Sequence, residues 1–222
     1  RYRELALFQE AIRQRLGENC LLLSLAPLLG EGTLVQVYNW FLHWDFAFLQ
    51  SAGELAELKS QTLGEMAGNE EMLRQAAAFL RSFDGSVAQV QIEERQWDKS
   101  AAAAGGGADF VVIHRQGTTG GRISVPWREE SAGLQILLLL YPRLRFVLEE
   151  CGGLLAIDGL GGQLHPQALG ELLRLFGDRE KNPRCAQLVF TSHDVWQIYN
   201  DALRQDQVWL AEKDEEGGTV LY

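Results

Sequence analysis

Nowhere in this chain does a lysine follow a glycine, so G-x-x-x-x-G-K-[ST], the loop whose backbone amides cradle phosphates while its lysine neutralises them, is missing. The glycine runs at 105–107 and 120–121 lead into Ala108-Asp109 and Arg122-Ile123, and they read as turns. Positive charge is scarce as well: 20 Lys and Arg stand against 30 Asp and Glu, a net charge of −10. A surface so acidic does not grip a phosphodiester backbone unaided, so nucleic acid would have to meet a missing region or a partner. The three cysteines, Cys20, Cys151 and Cys185, form no C-x-x-C pair, which excludes a zinc or disulfide framework and suits buried thiols in a reducing compartment. The apolar runs at 21–29 and 134–141 fall short of the roughly 18 to 20 residues that span a bilayer, and no signal-peptide pattern opens the chain. The expected location is the cytoplasm, with no membrane partner. An initiating methionine is missing too: Arg1-Tyr2-Arg3-Glu4 already falls in a helical pattern, so a portion of a longer protein is expected.

What is present is a composition of 46% hydrophobic and 23% charged residues over 222 positions, enough for one core or a core with an attached subdomain. Residues 1–82 read as a helical subdomain. Leu5, Phe8, Ile12 and Leu16 share one face, with Gly17 as a stop. Trp40, Phe41, Trp44, Phe46 and Phe48 crowd the stretch 33–50, which is expected to be a buried helix, with a partner surface as the alternative. Asn69 caps a helix over 70–83 whose first turn carries two acids.

From residue 83 to 222 the pattern is that of an α/β lobe. Ala88, Val90 and Ile92 alternate with polar residues as in a half-buried strand. The plain run 101–107 reads as a surface loop, and 109–115 pairs with 122–125 as a hairpin. Beyond Pro126, strands and helices alternate, the signature of a partly parallel sheet with flanking helices. A helix over 131–150 should kink or restart near Tyr141 because of Pro142. Leu154 to Ile157 form a short apolar strand suited to the centre of a sheet covered on both faces. Pro166 opens a helix that ends at Gly177, residues 187–190 form a strand, and Asp194 caps another helix. A closing hairpin joins 206–212 to 219–222.

Three segments carry chemistry. Asp158 stands at the carboxyl end of a strand, the edge of an open parallel sheet where ligands bind, and a carboxylate there suits Mg²⁺ bridging phosphates. The bland alternative is a loop acid or helix cap. Ser131 opens a helix, where its hydroxyl and the free amides of Ala132 and Gly133 make an anion site, although Glu129 and Glu130 oppose a phosphate and favour an ordinary N-cap. His193 follows a strand end, placed to hydrogen-bond a terminal phosphate. Ser131, Asp158 and His193 also run in the chain order of α/β-hydrolases, but Glu129-Glu130-Ser131-Ala132-Gly133 is not G-x-S-x-G.

Taken together, Glu130-Ser131-Ala132-Gly133, Leu154 to Asp158, Leu164-His165-Pro166 and Thr191-Ser192-His193-Asp194 resemble the signature, Walker B, D-loop and switch-histidine segments of ABC-type ATPases. The branch is the SMC-like and OLD-like group of AAA family ATPases in bacterial defence and toxin-antitoxin systems, and residues 203–214 are similar to its ending. The resemblance implies a P-loop NTPase-like fold, here a C-terminal portion without the Walker A lobe, with ATP and Mg²⁺ as cofactors. Ser131, Ala132, Gly133 and His165 would meet a nucleotide held by a second subunit, Asp158 would support Mg²⁺, and His193 would sense the terminal phosphate. Partners implied are a second copy in a head-to-tail dimer or a heterologous ATPase, and an effector such as a nuclease or toxin. One departure stands out. The family places Glu after the Walker B Asp to polarise water, whereas this chain has Gly159, and a positioned base is worth about 10² to 10⁴ in rate. Hydrolysis is therefore expected to be slow or absent, and a catalytically inactive scaffolding or dimerisation module is the alternative.

Overall fold

The computed structural model describes residues 32–94, 108–117, 120–194 and 202–222, together with Leu23, Ser24 and Pro27. The first predicted helix, the run 101–107 and the helix after Asp194 lie outside the described residues. Packing divides the chain into two compact units, Arg1–Asp45 and Phe46–Tyr222. The 82/83 division made from the sequence falls inside the second unit, at a change of secondary structure rather than of packing.

In the first unit, helix α1 (Thr33–Leu42) has no buried residue. Trp40 packs edge-on against Phe41 at 5.0 Å and against Trp44 at 4.8 Å, yet it is 49% exposed. The expected buried helix over 33–50 is thus corrected on two counts. It ends at Leu42 with residues 44–48 forming strand β1 (Trp44–Phe48), and Trp40, Phe41, Phe46 and Phe48 are exposed while Trp44 is half-buried. Alternation is the physical reason: Ala47 and Leu49 go into the core while Phe46 and Phe48 stay on the other, exposed face.

The second unit takes in the end of β1 from Phe46 and continues with α2 (Ala52–Met66), closed at its start by a capping box between Ser51 and Glu54. Helix α3 (Glu70–Arg81) follows, capped by the Asn69 side chain, which accepts from Met72 N. Strands β2 (Val87–Glu94), β3 (Ala108–Gln116) and β4 (Gly121–Pro126) make an antiparallel sheet in the order β2-β3-β4. Strands β3 and β4 pair as the expected hairpin, Arg115 opposite Arg122.

Helix α4 (Ala132–Arg145) runs through Pro142 without restarting at Tyr141, continues as a π-helical turn (Phe146–Cys151), and stops at Gly152. Proline in a helix costs about 3 kcal/mol because its nitrogen gives no hydrogen bond to the carbonyl four residues back, here Leu138. The helix buries Leu134, Ile136 to Tyr141 and Leu144. At about 1.5 to 3 kcal/mol per buried side chain, that burial outweighs the proline. Thr62 of α2 adds a tie, its hydroxyl lying 2.9 Å from Leu58 O and 3.0 Å from Leu139 O in full burial. Thr62→Val keeps the shape and deletes the tie. It is expected to lower stability by about 1 to 2 kcal/mol, read as a lower urea midpoint with an unchanged m-value.

Strand β5 (Leu154–Asp158) is the centre of a second sheet ordered β1-β5-β6, in which β6 (Gln187–Phe190) pairs with it in parallel, Leu155 opposite Leu188 and Ile157 opposite Phe190. Leu155 and Ile157 are buried, while Leu154 and Ala156 on the other face are half-buried. Between these strands lie the short α5 (Leu160–Gln163) and α6 (Pro166–Gly177), which has proline in its first turn and His165 as its cap. A terminal hairpin, β7 (Ala211–Lys213) and β8 (Thr219–Leu221), is shorter than expected, with a 3₁₀ turn at Gln205–Gln207 before it. The expected α/β class, a partly parallel sheet with flanking helices and added hairpins, is the one observed.

Candidate functional site

Asp158 ends the central strand, and its carboxylate is held from two sides. Gln50 Nε2 donates to Oδ2 at 2.6 Å, and Thr191 Oγ1 donates to Oδ1 at 2.5 Å. The strand order makes this meeting possible. Gln50 follows β1, Thr191 follows β6, and both flank β5, so three strand ends converge on one edge of the sheet. Backbone bonds lock the edge: Leu49 N donates to Asp158 O at 3.1 Å, Thr191 N to Ile157 O at 3.1 Å, and Gly161 N to Thr191 O at 3.3 Å. Gly159 N also donates to Thr191 Oγ1 at 2.7 Å. Gln163 Nε2 donates to Leu49 O at 3.0 Å, fixing α5 against the strand that delivers Gln50.

Gln50 is the residue that the sequence reading missed. Its signal was the two-residue alternation of Trp44, Phe46 and Phe48 with Ala47 and Leu49, which marks a strand whose carboxyl end falls at Gln50. Asp158, Thr191 and Gln50 carry carboxylate, hydroxyl and amide oxygens, a donor type suited to a hard cation. Among the described residues no group of three His, Cys, Asp or Glu converges to build an all-protein metal centre.

The other predicted positions are spread over neighbouring elements. Ser131 caps α4, its hydroxyl accepting from Leu134 N at 3.3 Å. No acceptor takes the amides of Ala132 and Gly133 among the described residues, and a side chain at Gly133 would meet nothing within 4 Å, so space does not demand glycine there. Glu130 accepts from neither of those amides. Its Oε2 lies 2.7 Å from His114 Nε2, and its Oε1 accepts from Ser131 N at 2.7 Å. His165 uses Nδ1 to accept from Gln167 N at 3.3 Å and borders an open depression of about 700 Å³ with Ser82, Phe83, Glu171 and Arg174. His193 is exposed in the bend after β6. No hydrogen bond joins Ser131 to Asp158 or His193 among the described residues, and the partners of Asp158 are Gln50 and Thr191 rather than an imidazole. The hydrolase order therefore has no assembled triad behind it.

A parallel strand pair delivering an acid and a hydroxyl to one sheet edge defines an α/β domain, and the carboxyl ends of such strands are where open α/β sheets place ligands. Residues 64–195 match the family model described as "AAA domain, putative AbiEii toxin, Type IV TA system". That is more than half of the chain, and the chain belongs to this AAA domain family, as its motifs led us to expect. It is also similar to a chain solved in a study of ATP-driven dimerization and DNA stimulated activation of SMC ATPases. The two are 11% identical, the match covers 72% of this chain and 88% of that one, and the TM-score is 0.45. No curated protein matches. Among the described residues, no helix is long and apolar enough to cross a membrane.

Proposed function

We propose that this chain is the nucleotide-responsive C-terminal part of an ABC-type ATPase, which binds Mg-ATP at a head-to-tail interface and converts nucleotide state into association. The observation that carries the reading is the Asp158 carboxylate, held by Gln50 at 2.6 Å and Thr191 at 2.5 Å at the sheet edge. In this reading Asp158 holds Mg²⁺, which when bound neutralises phosphate charge. Thr191 and Gln50 keep the carboxylate from rotating. Ser131 with the amides of Ala132 and Gly133 meets the terminal phosphate of a nucleotide carried by the second subunit, His165 lies at the same interface, and His193 reads the phosphate's presence. The phosphate-cradling lobe is supplied outside the 222 residues, by the rest of the polypeptide or by a partner ATPase. Association would control an effector such as a nuclease or toxin in anti-phage defence, in the cytoplasm.

Gly159 favours a second reading in one respect. Glycine after Asp158 supplies no carboxylate at that position to polarise water, as in a catalytically inactive scaffolding module. One experiment separates the two. The full-length protein, titrated with Mg-ATP in a calorimeter and followed by light scattering, is expected to bind nucleotide and dimerise with it, and Asp158→Ala is expected to weaken Mg-ATP binding at least tenfold, about 1.4 kcal/mol. Dimerisation that ignores ATP, or Asp158→Ala binding as tightly as the wild type, would replace the nucleotide reading with the scaffold.

A further inference from the structure

We propose that His114 is a positioning residue for Ser131: it holds the Glu130 carboxylate away from the free amides that open α4, and so keeps them available to an incoming anion. This rests on the reading of Ser131 given above, but its geometry stands by itself. His114, on β3, is 13% exposed at its side chain and Glu130 only 7%. The imidazole is gripped at both ends, by Glu130 Oε2 at Nε2 (2.7 Å) and by Ser86 Oγ at Nδ1 (2.8 Å). Ser86 is itself fixed, its amide donating to Asp84 Oδ1 at 2.8 Å and its carbonyl accepting from Arg115 N at 2.8 Å. Burial pushes the Asp84 carboxyl up, but hydrogen bonds from Ser86 and the charge of His114 leave it below the ordinary carboxylate value. Gln135 closes the far side, donating to Trp127 O at 2.6 Å and to Glu130 O at 3.1 Å.

The consequence is electrostatic. A carboxylate just before the N-cap of a helix is attracted by the amides of the first turn and by the dipole. Left to itself, Glu130 would cap Ala132 and Gly133 and repel a phosphate. The His114 bond directs Oε2 toward the sheet, and Oε1 is spent on Ser131 N, which orients the serine as the N-cap without covering the next two amides. Without the imidazole, the Oε2 of this nearly buried carboxylate loses its partner and is free to turn to the unpaired donors of the first turn, those same amides. This also lessens the opposition to phosphate that the sequence assigns to Glu130: both its oxygens are engaged, one by His114 and one by Ser131 N, whereas Glu129 is exposed to solvent.

The test uses the full-length protein with His114→Ala, His114→Gln and the double variant His114→Ala with Glu130→Gln. His114→Ala is expected to raise the ATP concentration for half-maximal dimerisation about tenfold, while Mg-ATP affinity of the monomer changes less than about twofold. Glu130→Gln in the same chain removes the misplaced charge and is expected to bring the requirement back to within about threefold of wild type. His114→Gln, whose amide still donates to Glu130, keeps the wild-type requirement and covers the case in which alanine unfolds the chain. A merely structural histidine gives a loss that Glu130→Gln does not rescue, and that result, or an unchanged requirement in His114→Ala, overturns the proposal. Amide hydrogen exchange at residues 131–134 reads the same switch without nucleotide: His114→Ala is expected to slow exchange at Ala132 and Gly133. If that slowing occurs in a protein that never responds to ATP, the positioning stands and the ATP reading falls; exchange unchanged at both amides overturns the positioning.

Discussion

Gly161→Ala is expected to destabilise the second unit by about 3 kcal/mol, while Gly162→Ala, one position along the same short helix, changes stability by less than about 0.5 kcal/mol. An added methyl at Gly161 would lie 1.8 Å from Ser192 Oγ, 2.4 Å from its Cβ and 2.9 Å from its Cα, whereas at Gly162 it meets nothing within 4 Å. Turning the Ser192 side chain does not solve the problem. Its hydroxyl is the acceptor for Asp194 N at 2.9 Å, and the overlap with the main chain of Ser192 is relieved only if the backbone itself moves. That backbone adjoins Thr191, whose hydroxyl and carbonyl tie Asp158 and Gly161 together. Displacing it shifts the hydroxyl that orients the proposed metal-holding carboxylate, so Mg-ATP affinity is expected to fall with stability. Urea denaturation of the two variants side by side checks the first part, and calorimetry the second. Equal midpoints for the two alanines would mean that the strand end yields freely, contrary to the lock of backbone bonds described above.

How much of this was legible beforehand follows the range of the signal. Asn69, the alternation of Val90 and Ile92, the glycines of the β3–β4 turn and Pro166 each act on neighbours within a few residues, so those elements were readable from the chain. The helix over 131–150 was readable too, but its passage through Pro142 was not, because that depends on how much of α4 other elements bury. Strand β1 was misread since aromatic density outweighed a period of only five residues. In the site, Asp158 and Thr191 were visible as strand ends. The bond from Gln50 to Asp158 closes across 108 positions, and that between His114 and Glu130 joins a strand to the residue before a helix. Neither leaves a local pattern, because strand order and hairpin register bring the partners together.

Gly159→Glu supplies the carboxylate that the proposed ATPase reading expects after Asp158, yet it is expected to cost about 3 kcal/mol and to bring no ATP turnover. Gly159 has φ +82, in the left-handed region where a side chain costs roughly 1 to 2 kcal/mol. An added Cβ would also come within 2.9 Å of Gln50 Cγ. Gln50 cannot retreat without breaking its 2.6 Å bond to Asp158, so the new glutamate would displace the group that steadies the carboxylate beside it. The two costs are separable. In a Gln50→Ala background the steric part disappears and the backbone part remains, so the penalty for Gly159→Glu should fall to about 1 to 2 kcal/mol. A double-mutant cycle in urea would then show a coupling of at least about 1 kcal/mol between positions 50 and 159. No coupling would mean that Gln50 does not enforce the glycine. Phosphate release that rose to a steady rate in Gly159→Glu alone would mean that the turn after β5 accepts a catalytic side chain as it stands. If both expectations hold, the loss of the water-polarising carboxylate is built into the backbone of this sheet edge. On the proposed reading, nucleotide would then be held between subunits and sensed, with release governed by dissociation rather than by hydrolysis.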